Sequence, residues 1–214
     1  PPDHALRHAR DRQLHKWPNA LAMILRALPA DLPVPVVVVQ HMPPVFTRML
    51  AQRLDSICKL SVSEAVEGDL IERGRVLIAP GGSHLETRTK GATVVAHLSD
   101  APPENFCRPA VDVLFRSVSS VYRNRVLGVV LTGMGRDGAQ GATAIRTAGG
   151  EMFAQDEATS VVWGMPGAVT TAGQADRVLS LDQMAGQITA ALAKNQDRSA
   201  GRHSSPPMPS GVGA

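Results

Sequence analysis

The 214-residue chain has an ordinary globular composition, with 43% hydrophobic and 19% charged residues, which suits one domain with its own core. Its net charge of +3 comes from singly scattered Lys and Arg, and aromatic residues are only 3%, which argues against nucleic-acid binding. No apolar run is long enough to cross a bilayer, so we expect a cytoplasmic protein without membrane insertion. The two cysteines, Cys58 and Cys107, are too few for a disulfide scaffold and predict no metal site.

Downstream of Pro18, the spacing of apolar residues predicts alternating helices and strands. In chain order these are helix 18–28, strand 34–39, helix 46–57, strand 75–80, hairpin 87–98, helix 109–121, strand 126–131, helix 138–148, strand 152–155, helix 160–171, strand 178–179 and helix 181–194. The strands are apolar throughout, as in parallel sheets that are covered on both faces. We therefore predict a doubly wound, mostly parallel α/β sheet with helices on both faces, Rossmann-like, with one small hairpin.

Composition divides the chain into three parts. Residues 1–17 are charged and unpatterned, and are predicted to be an aberrant or linker-like segment. Residues 18–194 carry the predicted catalytic domain. Residues 195–214 are rich in Ser, Pro and Gly without apolar periodicity, which predicts a disordered tail.

Three polar groups follow predicted strands, where ligands and catalytic groups lie in doubly wound sheets. They are His41 after strand 34–39, the glycine-rich turn 131–138, and the segment 154–157 with its two acidic residues. Each has an ordinary structural explanation when it is taken alone. A histidine can close a loop, glycines can supply a tight turn, and acidic residues can begin a helix.

The glycine turn also supports an alternative function. Gly133-x-Gly135-x-x-Gly138 matches the dinucleotide-binding fingerprint, and Asp156 stands where a ribose-binding acid is expected. Asp137, however, would place a carboxylate where the pyrophosphate approaches the helix. An NAD(P)-binding oxidoreductase therefore remains an alternative at this point.

Six ordered blocks together resemble one family, the catalytic domain of the chemotaxis protein-glutamate methylesterases, over residues 18–192. The blocks are VVVVQHMPPVFTRMLAQRL, EAVEGD, VLIAPGGSH, RPAVDVLFRSV, GVVLTGMGRDGAQG and AQDEATSVVWGMPGAV. The resemblance implies a doubly wound α/β domain that hydrolyses glutamate methyl esters on methyl-accepting chemotaxis receptors. It also implies deamidation of receptor glutamines, a Ser-His-Asp triad and no cofactor.

The family's motifs place two triad members in this sequence. The histidine of the QHM block matches His41, and the aspartate of the TGMG-x-DGA block matches Asp137. Met134, with Gly133 and Gly135, matches the turn that the family associates with oxyanion stabilisation. Ester hydrolysis needs such a base and its orienting carboxylate.

The nucleophile is where the sequence departs from the family. Ungapped counting from Pro18 puts Leu14 at the position of the family's serine, and the first serine of the chain is Ser56. We hypothesise that residues 10–17 are an out-of-frame reading of Val-Ile-Gly-Ser-Ser-Thr-Ser-Gly, by mutation or sequencing error, so that the chain is inactive as written. The alternative is a degenerate homologue that binds receptors without catalysis.

The resemblance also implies a regulatory partner. In this family a phosphorylatable receiver domain usually precedes the esterase and covers the active site. No receiver is found in the sequence, so we expect either the enzymatic half of a longer protein or a stand-alone version.

Overall fold

The computed structural model of the protein describes residues 19–201, with side chains described for residues 20–194. Helices and strands alternate along this part of the chain. The helices are α1 Asn19–Ala27, α2 Phe46–Ile57, α3 Val111–Tyr122, α4 Ala139–Thr147, α5 Met165–Thr171 and α6 Leu181–Gly201. The strands are β1 Val36–Val38, β2 Ser61–Glu64, β3 Arg75–Ile78, β4 His84–Lys90, β5 Thr93–Ser99, β6 Leu127–Val130, β7 Glu151–Gln155 and β8 Arg177–Leu179.

The strands within residues 19–201 form two parallel three-stranded sheets and one antiparallel hairpin. The sheet orders are β1-β3-β2 and β6-β7-β8. The hairpin β4-β5 turns at Gly91, whose φ of 60° favours a residue without a Cβ. The predicted α/β architecture, with parallel pairing and one hairpin, is confirmed.

Helices cover both faces of the sheets. Side chains alternate along β3, so Val76 and Ile78 face one hydrophobic cluster while Leu77 faces the other. Helices α1, α2 and α6 supply the first cluster, and α3, α4 and α5 supply the second. In β7, Phe153 joins the first cluster and Met152 the second, so each cluster draws on both sheets. The two sheets are therefore packed side by side between shared helical layers.

Within residues 19–201 the parallel strands divide into two sheets. Among the described strands, β1 pairs only with β3, and β6 pairs only with β7. The outer edges of β1 and β6 thus have no partner strand within residues 19–201. The segment 1–17, in which the sequence predicts a disrupted first strand, lies outside the described residues.

Two element predictions need correction. Strand β2 was not predicted because its sequence, SVSE, has one buried apolar residue, Val62, among polar ones. The last helix was expected to end at Lys194, but α6 continues to Gly201, so the first seven residues of the predicted tail are helical. The remainder of that tail lies outside the described residues. No helix within residues 19–201 is both long enough and apolar enough to cross a membrane.

Candidate active site

The fold brings His41 and Asp137 into direct contact. His41 follows β1 and Asp137 follows β6, and the two residues are 96 positions apart in the chain. The His41 Nε2 atom lies 2.7 Å from Asp137 Oδ2. The imidazole is about a quarter exposed (25%), whereas the carboxylate is almost fully buried (2%). The two predicted triad members therefore form a hydrogen-bonded pair with its histidine end open to solvent.

The Asp137 carboxylate is fixed by the start of helix α3. The backbone N–H of Val111 donates to Oδ2 at 2.7 Å, and that of Asp112 donates to Oδ1 at 3.0 Å. Burial raises the pKa of Asp137, but the hydrogen bonds from His41 and these two N–H groups outweigh it, so the pKa lies below the ordinary aspartate value. The carboxylate thus stays ionised and caps α3.

Asp112, at the start of helix α3, caps helix α4 in return. Its Oδ1 accepts a 2.6 Å hydrogen bond from the Gly141 N–H in the first turn of α4, directly after Asp137 in the chain. Each helix is therefore capped by a carboxylate that belongs to the other helix or its leading turn, and we call Asp112 and Asp137 the reciprocal caps. Burial raises the pKa of Asp112, and the nearby Asp137 charge adds to this, against the hydrogen bonds from Gly141 and Asn105.

Asn105 connects the reciprocal caps. Its Nδ2 atom donates to Asp112 Oδ2 at 2.8 Å and to Asp137 Oδ1 at 3.1 Å. The backbone of Asn105 is left-handed, with φ of 52°, a conformation that asparagine tolerates better than most residues. Asn105 therefore holds two carboxylates together by satisfying one oxygen of each.

The predicted oxyanion turn lies beside a second loop. The Gly133 N–H donates to the Val162 carbonyl at 3.0 Å, and the Met165 N–H donates to the Gly133 carbonyl at 2.8 Å. A Cβ on Gly133 would stand 2.5 Å from Met165 Sδ, so a larger residue there would require the Met165 side chain to shift. Met134 is 81% exposed, and Gly135 has a left-handed φ of 88°. The turn is thus anchored through Gly133 while its tip stays open.

Comparison with known proteins places this arrangement in a family. The model of the CheB methylesterase family matches residues 17–188. The chain belongs to the CheB methylesterase family. The crystal structure of the Thermotoga maritima CheB methylesterase catalytic domain is similar at a TM-score of 0.78 and 42% identity, covering 79% of this chain and 90% of that one.

Curated relatives give the same result. A protein-glutamate methylesterase/protein-glutamine glutaminase of Trichodesmium erythraeum is 54% identical over 171 residues, which is 80% of this chain and 49% of the relative. One of the same description from Nocardioides is 54% identical over 179 residues, 84% of this chain and 49% of the relative. The chain thus spans about half the length of these curated relatives.

The dinucleotide-binding alternative is supported neither by CheB family membership nor by the local geometry. An incoming pyrophosphate would need the free N–H groups at the start of α4, where the Asp112 carboxylate already accepts from Gly141. Asp156, the expected ribose ligand, instead accepts from the N–H of Thr159 at 3.0 Å and from its hydroxyl at 2.5 Å. Its carboxylate closes a local turn.

Of the predicted positions, Leu14 lies outside the described residues. Within residues 20–194, no serine hydroxyl hydrogen-bonds to His41, and Ser56 donates to the Arg53 carbonyl on the exposed face of helix α2. The described part of the chain therefore brings the two predicted triad members, His41 and Asp137, together, and it places no serine against them.

Sequence reasoning missed four residues around the site. Asn105 and Asp112 are described above. Gln155 is fully buried. It accepts from the Thr132 N–H at 2.8 Å and donates to the Thr159 carbonyl at 2.8 Å, so it links the predicted oxyanion turn to the loop after β7. Cys107 lies near His41 and Asp137. The RPAVD and AQDE blocks point to Asp112 and Gln155, but no sequence signal marks Asn105 or Cys107.

Proposed function

We propose that this domain is the catalytic part of a cytoplasmic protein-glutamate methylesterase and protein-glutamine glutaminase acting on chemotaxis receptors. In this proposal His41 and Asp137 are two members of a Ser-His-Asp triad. The chain as written lacks the third, because Leu14 occupies the serine position. The observation that carries the proposal is the 2.7 Å hydrogen bond between His41 Nε2 and Asp137 Oδ2 in a CheB methylesterase domain.

The protonation states support this assignment. An ionised carboxylate can only accept hydrogen bonds, and the lowered pKa keeps Asp137 ionised. His41 Nε2 therefore carries the proton that it shares with Asp137 Oδ2. In the neutral imidazole this leaves the lone pair on Nδ1, which is the nitrogen that would act as the base.

The reaction follows from these states. A serine Oγ attacks the ester carbonyl carbon as its proton passes to His41 Nδ1, and a tetrahedral oxyanion forms. The intermediate collapses, and His41 returns the proton to the departing methanol. Water then attacks the acyl-serine in the same way, which releases the glutamate carboxylate and restores the serine. With a glutamine substrate the leaving group is ammonia.

The oxyanion would be stabilised at the tip of the glycine turn. Because the Gly133 N–H already donates to Val162, the donors that remain at this turn are the N–H groups of Met134 and Gly135. Removing one such donor typically slows an enzyme by about 10²–10³-fold. Gly133 then serves as the anchor of the turn rather than as a donor.

The start of the family match supports the proposed loss of the nucleophile. The match begins at residue 17, three residues after Leu14, and continues to residue 188. The out-of-frame hypothesis explains both the missing serine and the charged residues in place of an apolar strand. Sequencing the gene across codons 8–19 tests it, because the hypothesis requires a single-base shift that restores a serine turn.

The decisive assay compares three proteins for methanol release from a methylated receptor fragment. The first is the chain as written. The second has residues 10–17 replaced by Val-Ile-Gly-Ser-Ser-Thr-Ser-Gly, and the third carries the same replacement with alanine at position 14. The third is the matched control, since it restores the strand without the nucleophile.

We expect activity only in the second protein. Activity in the chain as written would refute the proposed role of position 14. Equal activity in the second and third proteins would show that another group attacks the ester. No activity in any of the three, with methylated receptor still bound, would favour a receptor-binding homologue and refute the proposed esterase.

In a full-length protein we also expect the regulatory partner, a receiver domain. We propose that the receptors are the substrate and that a receiver domain covers the His41 face until it is phosphorylated. The half-length match to the curated relatives is consistent with such an additional domain. Adding a separately purified receiver domain to the restored esterase should lower its activity, and an unchanged rate would contradict this partner.

A further inference from the structure

Cys107 brings a third kind of donor atom to the His41–Asp137 pair. It ends a tight turn, in which the Glu104 N–H donates to the Cys107 carbonyl at 3.0 Å and the Cys107 N–H donates to the Glu104 carbonyl at 2.9 Å. One donor atom from each of His41, Cys107 and Asp137 lies within 4.8 Å of the other two. An imidazole nitrogen, a sulfur and a carboxylate oxygen therefore converge on one point.

We infer that His41, Cys107 and Asp137 form a binding site for a thiophilic divalent cation of the zinc class. Imidazole, thiolate and carboxylate are the three ligand types that Zn²⁺ takes in proteins, whereas Mg²⁺ and Ca²⁺ require oxygen ligands. Three protein ligands would leave the fourth tetrahedral position to water. This inference depends only on the donor atoms and holds whether or not the domain is an esterase.

The three donor atoms lie within 4.8 Å of one another and must move to tetrahedral spacing to accept the cation. Tetrahedral Zn²⁺, with bonds of about 2.0–2.3 Å, separates its ligand atoms by roughly 3.3–3.6 Å. His41 Nε2 and Asp137 Oδ2 are 2.7 Å apart, so the ring must retreat by less than about 1 Å, and the proton on Nε2 must leave or move to Nδ1 before Nε2 can bind the cation. Asp137 is held by two backbone N–H groups, whereas the only hydrogen bond of the His41 ring within residues 20–194 is the one to Asp137. The histidine is therefore freer to move than the aspartate.

The local charges favour binding. The Asp137 carboxylate is ionised, and a cation would offset the charge that this carboxylate places near the thiol. A coordinating thiol loses its proton when the metal binds, so Cys107 would bind the cation as a thiolate. The bound cation also occupies the His41 ring, so it would inhibit any reaction that uses His41 as a base.

Cobalt titration tests the site directly. Co²⁺ replaces Zn²⁺ in tetrahedral sites, and a thiolate ligand gives it a near-ultraviolet charge-transfer band that other ligands do not give. The wild-type chain and the variants Cys107→Ser, His41→Ala and Cys58→Ser are titrated with CoCl2, and bound Co²⁺ is then displaced with ZnCl2. Cys58→Ser is the matched control, because Cys58 is also a half-buried free thiol and lies outside the donor cluster.

We expect one Co²⁺ per chain and the sulfur band in the wild type and in Cys58→Ser, with no band in Cys107→Ser. Loss of an outer-shell partner lowers metal affinity by about 10–100-fold. His41→Ala removes a ligand itself, so it should weaken Zn²⁺ binding by more than this. The site is refuted if the wild type shows no band, if Cys107→Ser keeps the band, or if Cys58→Ser loses it. Far-ultraviolet circular dichroism checks that each variant is folded, and no outcome depends on esterase activity.

Discussion

The contact between helices α3 and α4 makes a sharp prediction for one glycine. A Cβ built on Gly141 would stand 2.5 Å from Phe115 Cβ and 3.1 Å from Asp112 Cα. Ordinary carbon contacts are about 3.5–4.0 Å, so Gly141→Ala requires the helices to separate by roughly 1 Å. The same shift would stretch the 2.6 Å bond between Gly141 and Asp112, one of the reciprocal caps.

The expected magnitude follows from two opposing effects. The 2.5 Å approach is to Phe115 Cβ, which no change of rotamer can move, so the overpacking cost lies in the upper part of the usual range, at about 2–3 kcal/mol. Replacing a helical glycine with alanine gains about 1 kcal/mol, so we expect a net loss of about 1–2 kcal/mol in the free energy of unfolding. For a chain of this size each kcal/mol lowers the melting temperature by about 2–4 °C, so Gly141→Ala should melt about 2–8 °C lower.

Gly186→Ala is the matched control for this prediction. Gly186 lies inside helix α6, and a Cβ there would meet nothing within 4 Å, so only the gain in helix propensity remains. This variant should melt about 2–4 °C above the wild type. Thermal melts and urea unfolding followed by circular dichroism measure both. If Gly141→Ala is as stable as the wild type while Gly186→Ala is stabilised, the close approach of α3 and α4 is wrong.

Three further perturbations test the polar contacts of the site. Asn105→Gly keeps the left-handed backbone and removes the amide, so the pKa of Asp112 should rise further in a carboxyl NMR titration; no change would contradict the bridge. The lowered pKa of Asp137 contributes stability that is present above about pH 4 and is lost as the pH falls through that lowered value. In Asp137→Asn the free energy of unfolding should therefore fall less steeply with falling pH than in the wild type. Equal slopes in the two proteins would contradict this prediction. Gln155→Met leaves the Thr132 N–H and a carbonyl unpaired, and should cost about 2–4 kcal/mol in urea unfolding; a loss below about 1 kcal/mol would mean that water replaces both bonds.

Much of the site could be predicted because parallel strands end at a common edge. This rule selects His41 and the glycine turn before any contact is known, and the family blocks then single out Asp137. The alternation of helices and apolar strands similarly fixes the fold class. These signals are local in sequence, so a single sequence is enough to show them.

The remainder depends on contacts that no local pattern contains. Asn105 acts on carboxylates 7 and 32 residues away, and its left-handed conformation leaves no periodic mark. Cys107 gains its neighbours only when the turn that carries it folds against the site. Strand β2 was missed because β-propensity is weak for SVSE, and its pairing with β3 decides its structure.

The capping role of Asp137 decides whether Asp137 or His41 is the better sign of a working catalytic site. Asp137 satisfies two backbone N–H groups of α3, so any descendant that must fold is under pressure to keep it, even after catalysis has been lost. His41 has no such second duty within residues 20–194, since its ring bonds only to Asp137. Under the proposed function, histidine at this position is therefore the better marker of a working esterase among related domains, because aspartate at position 137 also serves the scaffold.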